Sequence, residues 1–252
     1  MKLNADKCHF LVPGTLDEHL WINVGGELIW ESSHGKLLGI TIDKNLNFKA
    51  HLKEICKKAS AKVTALARVV RLLPFFRRRM LLKSFIESQF SYCPLVWMFC
   101  SRQMNRRINH IHERALRLTY GDYTASFQEL LKKDKTVSIH HKNLQHLAIE
   151  MYKIKNDLAP EVMKNLFEQK EASYCRSGSS FARPNVSTVN KGLNSLRSFG
   201  PVMWNIMLPG KYKACTNLDD FKNAIKHWTP DNCRCTLCKT YVSGLGYTNI
   251  FE

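Results

Sequence analysis

At Asn45 the apolar residues of this chain change their period, and that change decides the fold class. Beyond it, Leu52, Ile55, Cys56, Ala59, Val63, Leu66, Ala67, Val70 and Leu73 recur at three- and four-residue steps. That spacing draws one stripe on a helix. Asn47 is placed to cap it, the helix runs to about Leu73, and Pro74 ends it or opens the next. Before Asn45 the pattern is of β type. Lys2 to Val12 and Lys36 to Asp43 read as short β segments. Between them, Gly25-Gly26 separates Leu20-Trp-Ile-Asn-Val24 from Glu27-Leu-Ile-Trp30, which is a hairpin signal. The expected class is therefore α+β, mainly α.

Helical periodicity continues after Pro74. A second helix carries Arg77, Arg78 and Arg79, then Leu81, Leu82, Phe85, Ile86, Gln89 and Phe90, and Pro94 breaks it. A third is predicted from Arg102 to Thr119, capped by Ser101 and stopped by Gly121, with Met104, Ile108, Ile111, Ala115 and Leu118 inward. Ser126 and Glu129 have capping-box spacing for a short helix. Ser138 to Asp157 buries Leu144, Leu147, Met151 and Ile154, and Pro160 opens a short helix to about Phe167. Residues 169–197 are poor in aliphatics and read as a linker or long loop. Residues 198–252 form a C-terminal segment, with helices near Phe199 to Met207 and Leu218 to Trp228 and a Cys-rich tail.

Composition narrows the partners. The 252 residues carry a formal charge of +17 with 44% hydrophobic content. The apolar share suits a folded chain. The charge exceeds the magnitude of roughly 2 to 8 that keeps a small domain soluble, so it points to an anionic partner, nucleic acid first and an acidic membrane surface second. No signal peptide or membrane-spanning run is visible, since Asp6, His9 and Pro13 interrupt the start and the longest apolar run, Pro94 to Cys100, is short. An intracellular location, cytoplasm or nucleus, is expected. Cysteines number nine, an odd count. Cys56, Cys93 and Cys100 read as buried thiols of a reducing compartment.

Several ordered stretches carry a family resemblance. The β segments up to Asp43 are followed by Phe85-Ile-Glu-Ser-Gln-Phe-Ser-Tyr-Cys-Pro-Leu-Val-Trp-Met98 and Asn109-His-Ile-His-Glu-Arg-Ala-Leu-Arg117. Then come Tyr123-Thr-Ala-Ser-Phe127, Leu147-Ala-Ile-Glu-Met-Tyr-Lys153, Phe199-Gly-Pro-Val-Met-Trp204 and Trp228-Thr-Pro-Asp-Asn-Cys-Arg-Cys-Thr-Leu-Cys238. Together they resemble, in family order, the C-terminal part of a non-LTR retrotransposon reverse transcriptase of the jockey-like kind, an RNA-directed DNA polymerase. The resemblance implies that residues 1–46 are a palm remnant, 47–168 a helical thumb or connector, and the remainder the tail. It implies a fragment without the paired catalytic aspartates, which in that family precede the segment matched by Lys2 to Val12. Mg²⁺ would serve only the intact parent polymerase. Strand edges of such a remnant would be left unpaired if the rest of the palm sheet were missing, which invites aggregation. An alternative is a non-catalytic basic nucleic-acid-binding protein retained by a host.

Four places could carry chemistry or binding. Leu38-Gly39 matches the family's primer-grip hairpin, where glycine permits close approach of another backbone. Asp219-Asp220 is the one adjacent pair of aspartates, but Asn217 before an amphipathic run through Phe221, Ala224, Ile225 and Trp228 makes it a helix first turn rather than a catalytic turn. Arg77, Arg78, Arg79, Arg102, Arg106, Arg114 and Arg117 are candidates for contacts to nucleic-acid phosphates, RNA, DNA or hybrid, read without sequence preference; the alternative is a solvated face. Cys233, Cys235 and Cys238 could share a Zn²⁺ with His227 or Cys215 as fourth ligand, or be plain thiols. His140, His141 and His146 are expected to be solvated or capping.

Overall fold

The computed structural model describes residues 4, 8–14, 20–169, 180–185, 195–230, 239–242 and 246–249. Their architecture is mainly helical, with small antiparallel hairpins. Near the start, β1 (Trp21–Val24) pairs with β2 (Glu27–Trp30), and β3 (His34–Leu37) pairs with β4 (Ile40–Asp43). Gly25 and Gly26 form the first turn with φ of 64° and 96°, a conformation that matches the twist of a two-residue hairpin. The second turn is Leu38-Gly39, so the β-type segment from Lys36 to Asp43 is two short strands folded back on each other at the hairpin position that the resemblance implies. Of the described residues between 4 and 14, only Phe10 makes a bridge, to Glu31.

Ile40 is the hairpins' main contribution to the core, and β4 lies against the long helix α1 (Lys49–Val69). Asn47 supports the start of α1 by accepting from Lys49 N at 2.9 Å, although Phe48 takes the cap position. A 3-10 turn, Val70–Leu72, carries the helix to the corner at Pro74. There α2 (Phe75–Leu81) begins and passes into a π-helical stretch, Leu82–Glu87, and then α3 (Ser88–Ser91). Cys93, with φ of 43°, reverses the chain before α4 (Pro94–Trp97). Cys93 is exposed, contrary to the expectation of a buried thiol, since it sits at that chain reversal and not on an apolar helical face.

Ser101 accepts from Met104 N to open α5 (Arg102–Tyr120), and Gly121 closes it with φ of 66°. A reciprocal capping box of Ser126 and Glu129 starts α6 (Phe127–Asp134), and Ser138 caps α7 (Ile139–Lys155). After α8 (Glu161–Lys164) the chain returns as α9 (Leu196–Val202), a π-helical Met203–Met207, α10 (Gly210–Lys213) and α11 (Leu218–Ile225). A hairpin of β5 (Lys239–Val242) and β6 (Gly246–Asn249) follows, in a segment expected to be helical.

Two apolar cores result. The first gathers the α1 stripe with Leu82, Ile86, Phe90, Trp97 and the inner face of α5. The second surrounds α7, where Met151, Tyr152, Phe181, Trp204 and Phe221 are enclosed. Tyr152 stacks on Phe221 at 4.4 Å between centroids, and Phe181 meets Trp204 edge-on at 6.0 Å. α7 belongs to both cores, because Ile139 sits in the first and Leu144 to Ile154 in the second. His140 and His141, expected to be solvated, are buried in its first turn for this reason.

Residues 180–185, inside the segment read as a linker, are tied to the second core. Phe181 is fully enclosed, and Asn205 clasps its backbone: Oδ1 accepts from Ser180 N and Phe181 N, while Nδ2 donates to the Phe181 carbonyl at 2.8 Å.

A buried polar knot joins three helical pieces. Glu87 accepts from His112 Nε2 at 3.0 Å and from Lys142 Nζ at 2.7 Å. Burial pushes its carboxyl up, but the His112 hydrogen bond and the Lys142 charge override it and hold the group at about 2. A folded-state value below the ordinary 4.5 means stability that is fully present above pH 4.5 and is lost as pH falls toward 2. The linkage amounts to at most about 3 kcal/mol. Glu87→Gln should therefore lower the urea midpoint at pH 7 and remove the part of the acid-side slope that lies between those values.

Gly200 marks how closely α9 approaches α7. A Cβ there would stand 2.7 Å from Phe167 Cε1 and 3.0 Å from Met151 Sδ, both in the second core. Gly200→Ala should destabilise the fold by about 1–3 kcal/mol through overpacking, seen in equilibrium unfolding.

Candidate nucleic-acid interface

The seven arginines singled out from sequence divide into two kinds. Arg79 is structural. Its Nε donates to Asp134 Oδ1 at 2.7 Å and its Nη2 to the Asp134 carbonyl at 2.9 Å, while Tyr120 Oη donates to the same Oδ1. The Asp134 side chain is fully buried, so the pair fixes α2 against the C-terminal ends of α5 and α6. Burial and the Asp134 carboxylate push the Tyr120 phenol up to about 12. Arg78 is structural too, donating from Nε to the Leu73 carbonyl at 2.8 Å. Arg117 bonds Glu113 and the Tyr123 carbonyl, which secures the chain beyond the α5 C-terminus. Arg102 is half-buried and not free.

Arg77, Arg106 and Arg114 are exposed. Arg106 and Arg114 have no carboxylate partner among the described residues, and His110 between them is also exposed. Sequence reasoning missed Arg107, which is exposed and lies on the α1 side of this face, near enough to the buried Cys56 to draw its thiol down against the larger upward effect of burial. The signal for it was available: His110 and Arg114 follow Arg107 by three and seven positions, one helical face. The exposed cationic row on α5 is therefore Arg106, Arg107, His110 and Arg114. Because α5 buries its other face in the first core and is capped at both ends, these groups stand on a rigid support. Guanidinium groups on such a support suit a row of phosphates and carry no base preference.

Leu38-Gly39, matched to a primer grip, is the tip of the β3–β4 hairpin. Both residues have positive φ, 48° and 83°, and Leu38 is 82% exposed. Gly39 adopts that backbone freely, whereas Leu38 is strained by it. Tyr92 holds the tip by donating from Oη to the Leu38 carbonyl at 2.6 Å. His51 supports the same hairpin, its Nδ1 accepting from Thr41 N at 3.3 Å. Leu38-Gly39 and the α5 arginines are thus held by the same helical scaffold.

Asp219 and Asp220 occupy the first turn of α11, as the sequence pattern predicted. Asn217 Oδ1 accepts from Asp220 N at 2.8 Å, and Lys222 pairs with Asp219. Cys233, Cys235 and Cys238 lie outside the described residues. Of their proposed companions, His227 is exposed, and Cys215 is half-buried beside the second core. Among the described residues no group of three or more His, Cys, Asp or Glu side chains is arranged to hold a metal, and no helix is long and apolar enough to cross a membrane.

Compared with known proteins, the chain matches no family model, no curated protein and no solved structure.

The two kinds of arginine should separate in stability measurements. Arg79→Ala leaves Asp134 buried without its cation and should cost about 3–5 kcal/mol. Arg106→Ala should stay within about 0.5 kcal/mol of the parent, as a solvated surface change does. Chemical denaturation of both variants at neutral pH checks this.

Proposed function

We propose that this chain is the palm end, thumb and tail of a non-LTR retrotransposon reverse transcriptase, and that it holds nucleic acid without carrying out the chemistry. The ordered motifs from the β segments to Cys238 support the family reading. The observation that carries the binding reading is the exposed row of Arg106, Arg107, His110 and Arg114 on α5, none of them paired with a carboxylate among the described residues, in a chain of net charge +17. A duplex or RNA–DNA hybrid is the fitting partner, because a straight row of cations tracks a phosphate backbone and ignores base identity. Cytoplasm and nucleus are where such a partner is met.

Polymerisation requires carboxylates that hold two Mg²⁺ ions about 3.5 to 4 Å apart. Asp219 and Asp220 are engaged as a helix first turn and do not fit that task. Zn²⁺ in the tail, held by Cys233, Cys235 and Cys238, remains part of the proposal on the strength of the thiolate spacing alone.

Replacing Arg106, Arg107 and Arg114 together with alanine should weaken duplex binding and flatten its dependence on salt, since each lost phosphate contact removes a released counterion. The expected change in the slope of log K against log salt is about 2 to 3 for three contacts. Fluorescence anisotropy across a salt series reads it. An unaltered slope would make the row a solvated face.

A further inference from the structure

The corner between α1 and α2 has a composition that the α5 row does not explain. From Ile55 to Ile86 the chain carries Lys and Arg and not one Asp or Glu. At the corner, two adjacent aromatic side chains stand in solvent, Phe75 at 49% and Phe76 at 61% exposure. Apolar rings of this size ordinarily turn inward, and a cluster of them left outside marks a binding surface. Arg68, Arg71 and Arg77 are exposed on the same stretch of chain.

The corner is rigid. Arg78 holds the Leu73 carbonyl just before Pro74, and Arg79 is locked to the buried Asp134. Phe75 rests edge-on against Tyr120 at 5.1 Å between centroids, and Tyr120 is itself tied to Asp134. The ring of Phe75 therefore cannot fold away. Phe76 carries the Arg77 guanidinium over its ring at 4.9 Å. Two inner arginines thus fix the backbone, and the outer cations and rings are presented together.

We propose that this corner binds an unpaired stretch of nucleic acid, with bases stacked on Phe75 and Phe76 and phosphates met by Arg68, Arg71 and Arg77. The inference rests on the nucleic-acid reading above and adds a second surface to it, selective for strand form. Unpaired bases expose π faces that a duplex hides, and aromatic rings interleaved with cations hold them without regard to sequence. Guanidinium groups, planar and always charged, serve both the phosphate and the ring. A bilayer is the poorer match. α2 spans seven residues and its apolar side chains are interrupted by arginines, so it offers too little apolar area to hold a protein at a membrane.

The test uses the full chain with three probes: a short oligouridine, a hairpin duplex of equal length, and vesicles containing phosphatidylserine. Phe76→Leu alters an exposed ring that does not support Tyr120, and should weaken oligouridine binding by about tenfold while leaving the duplex affinity unchanged. Phe76→Trp should strengthen oligouridine binding. The triple alanine variant of Arg106, Arg107 and Arg114 should show the opposite selectivity. Equal binding of oligouridine by the parent and Phe76→Leu, or equal losses on both nucleic acids, overturns the corner while leaving the α5 reading in place. Binding to vesicles that Phe76→Leu abolishes, with oligouridine binding untouched, assigns the corner to lipid and overturns it too. A parent chain that binds the duplex but not oligouridine overturns the corner alone, and one that binds neither overturns both readings.

Discussion

A single carboxylate, Glu87, fastens the helical scaffold at its centre. It is largely buried where the π-helical stretch, α5 and α7 meet, and it takes one hydrogen bond from His112 and one from Lys142. An ionised carboxylate in apolar surroundings is tolerable only when partners of opposite charge or strong donors reach it. Both donors must therefore stay in place, and with them the relative positions of the helices that bear them. Leu82 and Ile86 of the π-helical stretch enter the first core, Phe85 stays in solvent with Lys62 over its ring, and Glu87 at its end meets α5.

What that scaffold positions follows from the split among the cations. Arg78, Arg79 and Arg117 spend their hydrogen bonds on carbonyls and carboxylates of the fold itself. Arg106, Arg107 and Arg114 do not, and their charge projects into solvent. A cation bonded within the fold fixes packing, whereas an unpaired exposed one adds to the field that draws polyanions. One residue type thus does two jobs in this chain, and the presence of a partner within the fold decides which.

Much of the helical part was legible in the sequence because its signals are local. Ser101, Ser126, Ser138 and Asn217 all accept from the backbone of the turn they precede, and the apolar stripes of α1, α5 and α7 face inward. The rest depends on contacts that no short window contains. Arg79 and Asp134 are 55 positions apart, so spacing along one helix could not distinguish a structural arginine from a solvent-facing one. The fold-back at Leu38-Gly39 was marked by the family resemblance and not by residue chemistry, because leucine is a poor residue for positive φ and a tyrosine remote in sequence holds it there. Phe181 looked like linker because its neighbours are polar, yet Trp204 and Phe167 supply its surroundings.

The division into two cores has a consequence for the order of assembly during synthesis. All the buried members of the first core lie between Leu52 and Ile139, and Lys142, the last partner of Glu87, follows within one turn of α7. The second core waits for Phe221, Ile225 and Trp228, and Gln145 then reaches across 83 positions to the Trp228 carbonyl. Contacts of long sequence separation form late, because the intervening chain must first be brought together. A nascent chain that has just cleared the ribosome tunnel through Lys142 thus holds every side chain the first core needs, while the apolar side of α7 meant for the second has nothing yet to cover it. For that interval α7 is the surface most in need of a chaperone.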